Sequence, residues 1–178
     1  MSIILDDEEG RAELEKLVGE WRASQRKIVF TNGCFDLLHA GHLRIFLGAK
    51  QLGDLLLVGL NSDNSVKSLK GAARPVVSEN YRAELVAALK PVDYVVIFNQ
   101  LTTDHLLEIV RPAVYVKGGD YTPENLPEYG TLSRLKIQVV FFPLLPDIST
   151  TKLISKMSKV NLRFRARREQ LKKHSGVF

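Results

Sequence analysis

Cysteine is nearly absent from this sequence: Cys34 is the only one among 178 residues. One thiol cannot form an intrachain bridge, which removes the disulfide-scaffold class. Long apolar runs are missing as well. Two of the longest, Leu55 to Leu60 and Val139 to Phe142, fall far short of the ~20 residues that a bilayer-spanning helix needs. The first ten residues are acidic where a secretory leader would be basic and then apolar, so a reducing, cytoplasmic setting without a membrane partner is expected. Spread-out positive charge is the third absence. The net charge of +5 is gathered at one end: Lys159 to Phe178 carries +6, leaving −1 on everything before it. Without a basic patch on the body, nucleic-acid binding is not expected, and the tail reads as a solvated end. What remains, 45% hydrophobic and 25% charged residues, is ordinary globular composition and excludes a disordered chain.

The apolar pattern then gives the class. Leu14, Leu17, Val18 and Trp21 follow the i, i+3, i+4, i+7 spacing of one helix face, which predicts a leading helix over Asp7 to Arg22. Ile28–Phe30, Leu55–Leu60, Tyr94–Phe98, Val114–Val116 and Ile137–Phe142 are short continuous apolar runs without alternation. Such runs, separated by helical stretches, indicate a parallel sheet covered on both faces. Helices are expected over Leu43 to Leu52, from Ser78 through Tyr81, Leu85 and Leu89, over Asp104 to Val110 behind Thr103, and from Ser149 onward. The predicted architecture is a doubly wound, five-stranded parallel α/β domain over 27–159. The leading helix of 1–26 packs on it, and a basic tail follows over 160–178. Ligands of such a sheet lie at the carboxyl ends of the strands, near a topological switch point.

Chemistry concentrates in two places. Thr31 to His42 runs from the first predicted strand into the next helix, with His39 and His42 three apart and Gly41 between them. Imidazoles beside free N–H groups at a helix start suit an anion, and a glycine lets the backbone approach it. A metal site is the rival reading, since Asp36, His39 and His42 form a D-x-x-H-x-x-H series, but no further Cys, His or Glu cluster supplies a closed shell. The second place is Ser149-Thr150-Thr151, three hydroxyls entering the last helix. Ser149 alone would be an ordinary N-cap. Taken with the first motif, it supplies a second anion site, and two anion sites imply a polyphosphate.

The pair G-x-F-D-x-x-H-x-G-H and I-S-T-T resembles the HxGH nucleotidyltransferase superfamily, with its Rossmann-like fold. Asn61-Ser62-Asp63, Leu69-Lys70-Gly71, Arg74-Pro75, Val92-Asp93-Tyr94 and Val116-Lys117-Gly118-Gly119-Asp120-Tyr121 are similar to the heptose-1-phosphate adenylyltransferases of lipopolysaccharide core and surface-sugar synthesis. Relatives often carry this module fused to a ribokinase-like kinase, for which 178 residues have no room. The resemblance implies transfer of AMP from ATP, with Mg²⁺ carried on the phosphates, to a sugar 1-phosphate, with pyrophosphate leaving. It implies His39, His42 and Lys70 as catalytic groups. Asn32, Gly33, Cys34, Phe35, Asn61, Asp63, Gly118, Ser149, Thr150 and Thr151 would line the nucleotide together with the two histidines. Asp36, Arg74, Lys117 and Asp120 would face the sugar phosphate, and the enzyme would be a homodimer. No residue set is expected to hold a metal of its own.

One departure bears on the nucleotide. In the cytidylyltransferases for glycerol or choline phosphate the last motif reads R-T-x-G-I-S-T-T, whereas Leu144 and Asp147 stand here at the arginine and glycine positions. Losing the arginine favours ATP over CTP. An acid beside a triphosphate repels it unless the acid faces away or meets Mg²⁺. The alternatives are a cytidylyltransferase for glycerol 3-phosphate and, outside enzymes, a nucleotide-sensing or RNA-binding module working through its tail.

Overall fold

The computed structural model describes residues 2–4, 8–119, 121–143, 145–160 and 164. Two positions discussed above, Asp120 and Leu144, and nearly all of the basic tail lie outside the described residues. The elements in chain order are β1 (Ser2–Ile4), α1 (Glu8–Ala23), β2 (Ile28–Gly33), α2 (Ala40–Lys50), β3 (Leu55–Asn61), α3 (Asp63–Lys70), α4 (Glu79–Ala87), β4 (Tyr94–Phe98), α5 (Asp104–Val110), β5 (Val114–Gly118), α6 (Tyr129–Arg134) and β6 (Gln138–Phe142). A last helix, α7, occupies 150–160.

All strands are parallel, in the order β1-β4-β3-β2-β5-β6. The five predicted strands are therefore β2 to β6, and the sheet gains a sixth. β1 adds to the edge of β4, with Ser2 opposite Val95 and Ile4 opposite Ile97; three residues are too few to show a period in sequence. From β2 the chain winds outward through β3 to β4, then crosses back to place β5 on the other side of β2. The switch point thus lies between β2 and β5, where a crevice opens at their carboxyl ends.

The continuous apolar runs are buried on both faces because successive side chains alternate between them. Phe30, Leu57, Phe98 and Tyr115 point to one side, where Leu14, Val18 and Trp21 of α1 pack with Leu106 and Leu107 of α5 and Leu132 of α6. Val29, Leu56, Val58, Val95 and Val116 point to the other, against Phe46 and Ala49 of α2 and Ala83 and Val86 of α4. The Trp21 ring packs at a 50° tilt on Tyr94, with ring centroids 4.6 Å apart. Burial of each large apolar side chain of α1 contributes about 1.5–3 kcal/mol, which is what holds the leading helix to the sheet.

Some local expectations change. The inward face of α4 is Arg82, Ala83 and Val86, while Tyr81 and Leu85 are more than half exposed. Ser78 and Thr103 precede their helices but make no side-chain cap bond. α3 and α6 were not predicted: the first has a polar, serine-rich sequence stabilised by the cap from Ser65 N–H to Ser62 Oγ at 3.1 Å, and the second buries only Leu132.

Candidate active site

A cavity of about 600 Å³ opens at the switch point. The loop after β2 contributes Cys34, Phe35, Asp36 and His39, the first turn of α2 contributes Gly41 and His42, and the ends of β2 and β3 contribute Asn32, Gly33 and Asn61. Lys70 comes from the last turn of α3, Arg74 from the loop behind it, Lys117 and Gly118 from β5, and Ser149, Thr150 and Thr151 from the start of α7. Two motifs more than a hundred residues apart therefore share one wall. Of the predicted site residues that are described, only Asp63 is not among the lining residues; its carboxylate is 2.7 Å from the guanidinium of Arg82.

His39 is the N-cap of α2, in extended conformation, and its Nδ1 accepts the N–H of Gly41 at 3.1 Å. That bond leaves the proton of the neutral ring on Nε2. A Cβ on Gly41 would meet the His39 ring at 2.9 Å, so the glycine is what lets the imidazole fold back over its own helix start. His42 stacks on His39 with ring centroids 3.8 Å apart and meets the edge of Phe35 at 5.2 Å. Its Nδ1 is buried without a hydrogen-bond partner. Burial, and then the neighbouring His39, push the His42 imidazole down to about 4; burial lowers His39 as well. Both rings are neutral at rest, and arrival of a polyanion favours their charged forms.

The last helix is tied to this loop: Thr150 Oγ1 donates to the Leu37 carbonyl at 3.3 Å. Ser149 Oγ accepts the N–H of Lys152 at 3.2 Å, an N-cap bond. Asp147 has φ +65°, the left-handed region, and its fully exposed carboxylate lies 3.5 Å from Lys152 Nζ, outside the cavity lining. The acid at the glycine position faces away from the anion site.

Asp36, 3% exposed, accepts the N–H groups of Val76 and Val77 at 2.8 and 3.0 Å and pairs with Arg74 Nε at 2.8 Å. It closes the segment behind Lys70 over the β2 loop. On the far wall Asn32 Oδ1 accepts from Tyr115 Oη at 2.6 Å and from Lys117 Nζ at 2.9 Å. Burial lowers the affinity of Lys117 for its proton and raises Tyr115. Burial also raises the Cys34 thiol, which keeps it protonated and unsuited to nucleophilic chemistry. Among the described residues no cluster of three or more His, Cys, Asp or Glu side chains is placed to hold a metal ion.

Three groups escape sequence reading. Arg82, 1% exposed, donates to the carbonyls of Cys34 and Val77 besides pairing with Asp63; in sequence it is one more charge on a helix. Tyr115 is hidden inside an apolar run. Glu128, 3% exposed, lines the cavity behind Lys117, and no motif marks it.

No helix among the described residues is long and apolar enough to cross a membrane. Several known proteins are similar to this chain. The bifunctional protein HldE of Trichlorobacter lovleyi is 45% identical over 147 residues, and that of Koribacter versatilis is 47% identical over 146. These matches take in 83% and 82% of this chain but 30% of each relative, so the chain spans under a third of their length. A lipopolysaccharide core biosynthesis protein from Thermoplasma volcanium superposes with a TM-score of 0.55 at 26% identity, covering 67% of this chain and 97% of the other. The cytidylyltransferase-like family model matches residues 30–156, from the middle of β2 into α7, which takes in the H-x-G-H loop, the I-S-T-T helix start and the switch point between them: the chain belongs to the cytidylyltransferase-like family.

Proposed function

We propose that the chain is a sugar-phosphate nucleotidyltransferase that moves AMP from ATP onto a heptose 1-phosphate, giving an ADP-heptose and pyrophosphate for lipopolysaccharide core or surface-sugar synthesis. The observation that carries this reading is the single cavity in which the H-x-G-H loop, the I-S-T-T helix start, Lys70 and Lys117 meet. Two anion cradles with Lys70 and Arg74 fit a triphosphate and a second phosphate together. A phosphate oxygen of the sugar attacks the α-phosphorus in line, the bond from that phosphorus to the β-bridging oxygen breaks, and pyrophosphate departs with the electron pair. The nucleophile is already an anion, so the protein supplies position and charge rather than a base.

In this scheme His39 and His42 donate to the phosphates and take up positive charge as negative charge grows on the leaving group. Lys70, exposed at the end of α3, follows that charge, and the hydroxyls of Thr150 and Thr151 hold the β and γ groups. The main chain at Gly33, Cys34 and Phe35, with Asn32, Asn61 and Gly118, lines the nucleoside. Asp63 acts on this side through Arg82, as a positioning group. Arg74, held by Asp36, faces the phosphate of the acceptor and Lys117 its sugar; Asp120 is assigned to the acceptor by resemblance alone. Magnesium enters as part of MgATP and neutralises phosphate charge there. The catalytic unit spans 27–159, the enzyme is cytoplasmic, where ATP is abundant, and by resemblance it is a homodimer, which sedimentation velocity tests.

The decisive experiment is a pyrophosphate-release screen of ATP, CTP and GTP against heptose 1-phosphates and glycerol 3-phosphate. ATP with a heptose 1-phosphate should turn over fastest. Faster turnover with CTP and glycerol 3-phosphate would overturn the assignment.

A further inference from the structure

Glu128 has no part in the chemistry above, yet its surroundings are those of a group awaiting a ligand. It is 3% exposed and lines the cavity, and its Oε2 has no hydrogen-bond partner. It is the N-cap of α6, and although its main-chain carbonyl accepts the Leu132 N–H at 3.0 Å, its side chain bonds to none of that helix's N–H groups. Thr103 Oγ1 donates to Oε1 at 3.4 Å. Lys117 Nζ stays 3.8 Å from the same oxygen, beyond a direct hydrogen bond. A buried carboxylate with idle lone pairs costs folding free energy that a ligand can return.

Lys117 is equally incomplete. An ammonium has three donors, of which Asn32 Oδ1 at 2.9 Å and Tyr115 Oη at 3.1 Å engage two. The gap between Lys117 and Glu128 therefore offers one cationic donor and one anionic acceptor side by side. A hydroxyl is donor and acceptor at once and satisfies both; a phosphate group would be repelled by Glu128. The ring of Tyr121, 5.1 Å from Lys117 Nζ, forms an apolar wall beside the gap, suited to the carbon face of a sugar.

We propose that Glu128, together with Lys117, reads ring hydroxyls of the acceptor and so selects a polyhydroxylated sugar phosphate. The assignment rests on the proposed function, whose cavity it deepens. It makes Glu128 a specificity residue on the acceptor side.

The test combines Glu128→Gln, which keeps the shape and removes the charge, with a series of deoxy acceptors lacking one ring hydroxyl each. The KM for heptose 1-phosphate should rise about ten- to a hundredfold, the range expected for losing a hydrogen bond to a charged group, while the KM for ATP stays within about twofold. One deoxy analogue should suffer a comparable loss in the wild type and no further loss in the variant, the non-additivity of two groups that touch. Additive losses, an equal rise in both KM values, or an unmoved acceptor KM would overturn the assignment. If Glu128→Gln does not fold, Glu128→Asp serves in the same cycle; a wild type that accepts every deoxy analogue as well as the parent also overturns it. Wild-type turnover of heptose 1-phosphate tests the proposed function separately. Should the wild type prefer glycerol 3-phosphate to every sugar phosphate, both the function and the sugar selection by Glu128 fall; should it turn over another sugar 1-phosphate instead, only the heptose assignment falls, and the same split in KM on that sugar decides Glu128.

Discussion

Acidification from neutral pH toward pH 5 should destabilise this protein through His42. The ring is stacked on His39 and edged by Phe35, and its imidazole is held down to about 4 against an ordinary 6.5. An unfolded chain takes up the proton near pH 6.5 and the folded one only near 4, so between those values the unfolded state binds more protons. Stability is then fully present above pH 6.5 and declines as pH falls toward 4. The difference from 6.5 to about 4 amounts to about 3 kcal/mol, at roughly 1.4 kcal/mol for each tenfold change in proton affinity. About 2 kcal/mol of it should be gone by pH 5. For a domain of this size that is a fall in Tm of roughly 4–8 °C.

The assay is urea unfolding of wild type and His42→Gln at pH 7 and pH 5, where the variant should lose about 2 kcal/mol less than the wild type over the same interval. Nucleotide adds a second reading. A triphosphate beside the stacked rings favours their charged forms, so calorimetry near pH 6 in buffers of different ionisation enthalpy should show proton uptake on ATP binding, and less of it in the variant. Equal acid sensitivity in the two proteins would refute the argument, because the titrating group would then lie elsewhere.

Further consequences follow from the same geometry. His42→Ala should lower kcat by on the order of a hundredfold or more with the fold intact, as loss of one preorganised donor does; activity that instead vanished with a zinc chelator and returned with zinc would restore the metal reading. Arg82→Met removes the hub that joins Asp63 to the carbonyls of Cys34 and Val77, and should cost about 3–5 kcal/mol in urea unfolding; a cost below about 1 kcal/mol would show that Arg82 is not a structural hub. Deleting 161–178 should leave kcat/KM within a few fold, since every loop that lines the cavity ends earlier. A collapse of turnover in a folded truncation with unchanged subunit number would show that the tail reaches an active site.

How much of this was readable in advance depended on whether a residue's role was local. Val95 to Phe98 and Leu55 to Leu60 are buried on both sheet faces, so their apolar runs announced strands with no knowledge of neighbours. His39 and Gly41 depend on one another two residues apart, and their spacing was visible. Arg82 was not, because its burial exists only once the β2 loop and α3 close over α4. Glu128 and Lys117 meet across a loop, and neither local sequence says that they face each other. Asp63 carried a motif signal, but the structure engages it with Arg82 at 2.7 Å instead of placing it on the cavity wall.

Of the two departures from the resembling pattern, Asp147 at the glycine position has a physical account. A glycine is favoured in the I-S-T-T approach because the backbone there turns into the left-handed region, and Asp147 adopts that same conformation at φ +65°. Aspartate is among the few residues with a side chain that visit this region at modest cost. Turning there also swings its carboxylate outward, to Lys152 and solvent, which separates backbone need from electrostatic effect. What α7 requires of this position is the turn that brings Thr150 onto the Leu37 carbonyl and so presses the last helix against the H-x-G-H loop. Aspartate delivers that turn without placing its charge where a triphosphate would lie. Aspartate at this position thus permits the left-handed turn, and the I-S-T-T helix start stays joined to the H-x-G-H loop through Thr150.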